Sequence, residues 1–88
     1  MRYRSKTQHK IADFVYERDE AVRTLDVKVF KKFYQKWYKR GVYAKPLPPD
    51  DVLEIVLRKM LFHMASATEA ERMNAKAWLM ARGMDTNL

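Results

Sequence analysis

Residues 27–41 read VKVFKKFYQKWYKRG, in which bulky apolar side chains and lysines alternate at helical spacing. Placed at steps of 100°, one group of large apolar side chains falls on a single side of a helix, opposite most of the lysines. The side chains of this group are Val29, Phe30, Phe33, Tyr34 and Trp37. Gly41 follows the last residue of the pattern, and glycine is favoured there because it adopts a positive φ without steric cost. The stretch therefore predicts an amphipathic helix that ends at residue 40.

Three further helices are expected around this one. Pairs of residues three apart form capping boxes that start helices. One pair is Ser5 with Gln8, and the other is Thr68 with Glu71 or, alternatively, Ser66 with Glu69. Gly83 is suited to end the last helix, and three prolines between residues 42 and 49 exclude helix there. The predicted helices cover residues 6–22, 27–40, 50–65 and 69–82, with residues 42–49 as a connector.

The chain is short, with 88 residues, and contains no cysteine, so one domain must be stabilised by packing alone. No segment alternates polar and apolar residues over the length of a strand. The expected fold is an all-α, compact bundle of three to four helices spanning residues 1–88. The third helix has apolar residues on two sides, with Ile55 and Phe62 opposite its main face, which is typical of a central helix.

The fourth predicted helix has apolar residues on more than one side. We expect Ala70, Met73, Ala77 and Met80 to face the core, and Trp78 and Leu79 to project elsewhere. Large apolar side chains outside a core often mark contact surfaces. The candidate partner interface, for a protein partner or a second copy of the chain, comprises Ile55, Phe62, Trp78 and Leu79. A central third helix offers an alternative, in which Ile55 and Phe62 are covered by the first two helices.

The positive charge lies in the first half of the chain. Residues 1–45 contain 13 lysines and arginines and 5 acidic residues, whereas residues 46–88 contain 5 and 6. Residues 28–45 hold seven cations and no anion. This asymmetry favours association with a polyanion and gives no information about the fold.

The second helix is the main candidate for such a contact. A helical face of lysines can neutralise the phosphates of a nucleic acid, and about four such contacts predict a log-log salt slope near −4. The candidate cations of this region are Lys28, Lys31, Lys32, Lys36, Lys39 and Arg40. The alternative is a solvated face that only keeps the protein in solution, although such faces usually mix both signs of charge.

Other residues of the basic half are candidates for accessory contacts. Tyr38 and Tyr43 are candidates for stacking on bases, because Phe30, Phe33 and Trp37 belong to the packing side. Near the N-terminus, further candidate cations are Arg2, Arg4, Lys6 and Lys10.

Catalytic chemistry has little support in the sequence. Two glycines are too few for a phosphate-cradling loop, and two isolated histidines do not make a zinc site. His63 is expected to be a partly buried neutral imidazole. We therefore expect a protein without enzymatic activity, cofactor or metal. Acidic residues interrupt the apolar stretch after residue 10 and no apolar run spans a bilayer, so we expect a cytoplasmic protein without membrane association.

Two hypotheses follow. The first is a small basic module that binds the nucleic-acid backbone, DNA or RNA, with little sequence specificity. The second is a protein-interaction or homo-oligomeric module, for example an accessory or inhibitor of a larger complex that handles nucleic acid.

Overall fold

A computed structural model describes the backbone of residues 6–88 and the side chains of residues 12–88. Within this range the chain forms four α-helices and no strand, so the predicted all-α bundle is confirmed. The helices are α1 (Lys6–Thr24), α2 (Val27–Lys39), α3 (Asp50–His63) and α4 (Glu69–Ala81). Each boundary lies within two residues of the predicted one.

The turn between α1 and α2 is built by three consecutive residues. Thr24 ends α1, and its hydroxyl donates to the carbonyl of Ala21 at 2.6 Å. Leu25 adopts a left-handed conformation with φ of 53°, which is uncommon for a residue other than glycine. The side chain of Asp26 then accepts a hydrogen bond from the backbone N–H of Lys28 at 2.8 Å and caps α2. The chain therefore reverses without glycine.

Both predicted glycine stops are present, and both belong to Schellman motifs. After α2, the N–H of Gly41 donates to the carbonyl of Tyr38 at 3.0 Å, and that of Val42 to Trp37 at 2.9 Å. Gly41 has a φ of 83° and Gly83, after α4, a φ of 70°. These positive angles require residues that tolerate the left-handed region, and glycine does so at least cost.

At the start of α4 the predicted capping box is also present. The Thr68 hydroxyl accepts from the backbone of Glu71 at 3.1 Å, and the Glu71 carboxylate accepts from the backbone of Thr68 at 2.8 Å. The box proposed for Ser5 and Gln8 lies outside the residues whose side chains are described.

The core is organised around α3, which contacts each of the other three helices and packs most extensively on α4. Leu53, Leu57 and Leu61 of α3 are buried, as the apolar pattern of this helix predicts. From α1 and α2, Val22 and Trp37 reach the same core and are completely buried. The expectation that the third helix is central is therefore confirmed.

The predicted orientation of α4 is wrong. Ala75 and Leu79 face the core, and Leu79 is completely buried. The residues that were expected to face inward, Ala70, Met73, Ala77 and Met80, are all exposed. Both faces of α4 are apolar, so hydropathy alone does not determine which face is buried. The packing of α4 on α3 determines it.

A second correction concerns His63 at the end of α3. Its side chain is exposed, and Nε2 lies 2.6 Å from the backbone carbonyl of Thr86. The C-terminal segment runs beside this end of α3, so His63 contacts that segment instead of being partly buried.

Candidate nucleic-acid interface

The inner face of α2 attaches this helix to the core. Phe30, Phe33 and Trp37 are buried, which confirms the predicted packing side for these three, whereas Val29, expected on the same side, is 39% exposed. Phe14 of α1 lies against two of them, with ring centroids 5.7 Å from Phe33 and 5.3 Å from Trp37. The orientation of α2 about its own axis is therefore fixed by aromatic packing, and the opposite side of the helix faces solvent.

Three lysines occupy the centre of this outer side: Lys28, Lys32 and Lys39, here called the central lysines. Together with Gln35 they fall within an arc of about 60° around the helix axis, at 100° per residue. All four side chains are exposed. From first to last the central lysines extend over about 17 Å of helix, at 1.5 Å per residue. Among the described residues, none of the three has a carboxylate oxygen within 4.0 Å.

The other two lysines of α2 lie at the borders of this face and are paired with carboxylates. Lys31 forms an ion pair with Asp50 at the start of α3, and Lys36 forms one with Glu17 of α1. The sequence interpretation treated all five lysines as one unopposed cationic face, and this is wrong for Lys31 and Lys36. Their partners lie far away in sequence, so no local pattern reveals them.

The Lys36 border is further organised by Trp37. Its indole Nε1 donates to Oε2 of Glu17 at 2.7 Å, and the guanidinium of Arg40 lies 5.1 Å from the ring centroid. The hydrogen bond from Lys36, assisted by that from Trp37, holds the pKa of Glu17 below its ordinary value against the opposing effect of burial. Glu17 therefore remains ionised and holds α2 against α1.

A shallow cleft of about 280 Å³ lies beside this border. Its walls carry both signs of charge. The lining residues are Asp13, Tyr16, Glu17, Lys36, Trp37 and Arg40. Because two carboxylates face the cleft, it does not extend the cationic surface of the central lysines.

The two candidate stacking tyrosines differ in what surrounds them. Tyr38 is 48% exposed. Tyr43 is half-buried and stacks on Tyr34, with ring centroids 4.0 Å apart and planes 16° apart. The Tyr34 hydroxyl donates to the carbonyl of Lys45, which ties the connector to α2, and burial raises the pKa of Tyr43. Tyr43 thus has one ring face covered by the protein itself, and Tyr38 is the more accessible ring.

The N-terminal candidates are not placed by the structure. Arg2 and Arg4 lie outside the described residues. Lys6 and Lys10 belong to α1, but their side chains also lie outside the described part of the chain.

The candidate partner residues do not form one exposed surface. Ile55 and Phe62 are half-buried, and Phe62 packs against the core. Trp78 is half-buried, and the guanidinium groups of Arg58 and Arg82 both lie over its ring. Leu79 is buried, so the expectation that it projects away from the core is wrong.

Within residues 12–88, no cluster of three or more histidine and acidic side chains is arranged to hold a metal ion. No helix in the described part of the chain is long and apolar enough to cross a bilayer. Comparisons of the chain with models of protein families, with curated proteins and with solved structures gave no match. The geometry of the chain is therefore the basis for any functional proposal.

Proposed function

We propose that this protein is a small nucleic-acid-binding module that contacts the phosphate backbone through the outer face of α2. The proposal rests on the division of the five lysines of α2 into two that are paired with carboxylates and three that are not. Carboxylates of α1 and α3 pair with the two border lysines, while the three central ones point into solvent with no described carboxylate within 4.0 Å. A row of unpaired ammonium groups on a rigid helix is suited to displace the counterions of a polyanion.

The chemistry of the face favours binding with little sequence specificity. An ammonium group is a compact charge on a flexible stem, and it lacks the planar fork with which arginine recognises guanine. Phosphate contacts fix position and orientation but do not read sequence. The face contains one amide side chain, Gln35, as its only uncharged polar group, so we expect backbone contacts to dominate.

Tyr38 supports a preference for single strands. It lies about 80° around α2 from Phe30, at 100° per residue, on the same side of the helix as Lys31, which is two turns earlier. An exposed aromatic ring beside cations can stack on an unpaired base, which contributes about 1–3 kcal/mol per base. The expected ligand is a single strand held by lysines and one tyrosine.

The test is a fluorescence-anisotropy titration of labelled single-stranded and duplex DNA and RNA at 50 and 200 mM salt. The three central lysines predict a log-log salt slope of about −2 to −3. Substituting all three by glutamine should abolish binding at 200 mM salt. Tyr38→Ala should weaken single-strand binding and leave duplex binding unchanged.

A matched control has the same net charge as this triple variant. Lys45, Lys59 and Lys76 lie outside α2, and replacing them by glutamine removes the same three charges. This control should retain most of the binding, because the proposal depends on the position of the charges and not on their sum. Equal weakening by both triple variants, or no binding of the wild type at 50 mM salt, would refute the proposal.

A second function is favoured by the outer face of α4. This face contains no charged side chain. Its exposed residues are Ala70, Met73, Asn74, Ala77, Met80 and Ala81. Two such helices in antiparallel orientation would place Met80 against Ala70 and Met73 against Ala77, so that large side chains meet small ones. We infer that a homodimer through α4 is the form a protein-interaction role would take.

Light scattering over a hundredfold range of protein concentration tests this second function. Self-association should be seen in the wild type and lost in Met80→Glu, whose charge would enter the interface. Glu69→Gln, a substitution beside the face, is the control. A wild type that stays monomeric throughout would exclude the homodimer.

A further inference from the structure

Trp78 of α4 holds two guanidinium groups. The Cζ atom of Arg58, from α3, lies 4.2 Å from the centroid of the indole, and that of Arg82 lies 3.7 Å from it. The two Cζ atoms are therefore no more than about 8 Å apart. Each arginine also donates Nη1 to a backbone carbonyl four residues earlier, Arg58 to Glu54 at 3.2 Å and Arg82 to Trp78 at 3.1 Å. Each guanidinium is therefore held by the indole ring and by a backbone carbonyl.

Neither cation of this pair forms an ion pair with a described carboxylate. Neither Arg58 nor Arg82 has a carboxylate oxygen within 4.0 Å. Arg23 provides the contrast, because it pairs with Glu20 at 2.9 Å and with Glu71 at 3.3 Å. Arg58 and Arg82 therefore have the Trp78 indole as their shared partner, where a carboxylate would be usual.

The surroundings of Arg58 disfavour the positive charge of its guanidinium. Burial is the main cause that lowers the pKa of its guanidinium, and the positive charge of Arg82 lowers it further, while Glu54 acts in the opposite direction. In addition, Nε of Arg58 is buried and has no hydrogen-bond partner in the described structure. A buried donor without a partner and two neighbouring cations are both unfavourable. An anion that contacts both guanidinium groups would offset the repulsion between them.

The chemistry of the two groups indicates which anion fits. A guanidinium presents planar N–H donors that match the oxygens of phosphate, and each arginine retains donors beyond the one used within its helix. Two positive charges match a dianion better than a monoanion. A phosphate that carries two negative charges is either the inorganic ion or a monoester, whereas the diester of a nucleic-acid backbone carries one.

We propose that Arg58, Trp78 and Arg82 form a binding site for a dianionic phosphate group at the contact between α3 and α4. The site is separate from the central lysines of α2 and does not depend on the function proposed for them. Trp78 acts as the support that orients both guanidinium groups, and the arginines bind the phosphate oxygens.

The test uses NMR spectra of the full chain, in which Trp78 and Trp37 give the only two indole N–H signals. Inorganic phosphate, methyl phosphate and dimethyl phosphate are titrated at constant ionic strength set with sodium chloride. Phosphate should shift the Trp78 signal in a saturable manner and leave that of Trp37 unchanged, because Trp37 is hydrogen-bonded to Glu17. Saturation with methyl phosphate as well would assign a phosphomonoester, and saturation with phosphate alone the free ion.

Dimethyl phosphate, a monoanion, should bind at least tenfold more weakly than phosphate. Equal affinity for dimethyl phosphate, equal shifts of both indoles, or no saturable shift would overturn the proposal.

Variants assign the binding to the arginines. Arg82 is exposed, so Arg82→Gln is expected to fold normally, as circular dichroism would verify. It should reduce phosphate affinity at least tenfold, and Arg82→Lys should restore part of it. Arg40→Gln is the matched control, since Arg40 is also exposed and also lies over a tryptophan ring. Unchanged affinity in Arg82→Gln, or an equal loss in Arg40→Gln, would contradict the assignment.

Discussion

The indole N–H of Trp37 donates to the carboxylate of Glu17 at 2.7 Å and joins the buried side of α2 to α1. This bond gives the one polar atom of a completely buried side chain an ionised acceptor. The same carboxylate pairs with Lys36. Glu17 is therefore the acidic residue on which the attachment of α2 most depends.

Replacing Glu17 by alanine should destabilise the protein. The indole N–H would lose its acceptor, which costs about 1–3 kcal/mol for a buried donor. Because Glu17 is partly exposed, we expect a loss of about 1 kcal/mol. Urea denaturation measures this loss. Glu20→Ala is the control, because Glu20 makes an exposed pair with Arg23 on the same helix, and it should change stability by less than ~0.5 kcal/mol. Equal losses in both variants would contradict the importance of the Trp37 contact.

The stability should also depend on the ionisation of Glu17. Its pKa in the folded protein is below the ordinary value of 4.5, so its ionised form contributes stability above that pH, and the contribution is lost as the pH falls through the folded pKa. The stability difference between wild type and Glu17→Gln should therefore narrow as the pH is lowered from 7 to 3. Urea midpoints of both proteins across this range provide the measurement. A difference that stays constant with pH would show that the carboxylate charge is unimportant.

The orientation of α4 can be tested by two truncations of neighbouring residues. Leu79 is completely buried, and Leu79→Ala should cost about 2–5 kcal/mol because it leaves a cavity in the core. Met80 is 61% exposed, and Met80→Ala should change stability by less than ~0.5 kcal/mol. Thermal and urea unfolding of both variants distinguish the two faces. A larger loss of stability for Met80→Ala than for Leu79→Ala would support the orientation predicted from the sequence, in which Met80 faces the core.

Gly41 should be sensitive to substitution although space surrounds it. A Cβ atom built at this position meets no other atom within 4 Å, but its φ of 83° lies in the left-handed region. Gly41→Ala should therefore cost about 1–2 kcal/mol through backbone strain alone. Gly41→Asn should cost less, because asparagine tolerates this region better. A neutral alanine substitution, measured by urea denaturation, would mean that the chain relaxes out of the Schellman motif.

The helix boundaries were predictable because local residues set them. Asp26 caps α2 through its own neighbour Lys28, and Thr68 caps α4 through Glu71. Gly41 and the prolines act through backbone conformation, which also involves few neighbours. Such signals are contained within a few residues, so the sequence alone reveals them.

Features that depend on the packing of helices were not predictable in the same way. Both sides of α4 carry apolar residues, and only its contact with α3 determines that Leu79, and not Met80, is buried. The pairing of Lys31 with Asp50 depends on the relative position of α2 and α3. The composition of the basic face was therefore predictable, while its division into paired and unpaired lysines was not.

The Schellman motif at the end of α2 also affects the charged side chains beside it. Its backbone hydrogen bonds satisfy the carbonyls of Trp37 and Tyr38, which would otherwise attract donors from nearby side chains. Lys39 is therefore not needed as a hydrogen-bond donor to these carbonyls at the end of its own helix. Its ammonium group can therefore contact a molecule in solution. Gly41, by ending the helix, thus keeps the last of the three central lysines available for binding.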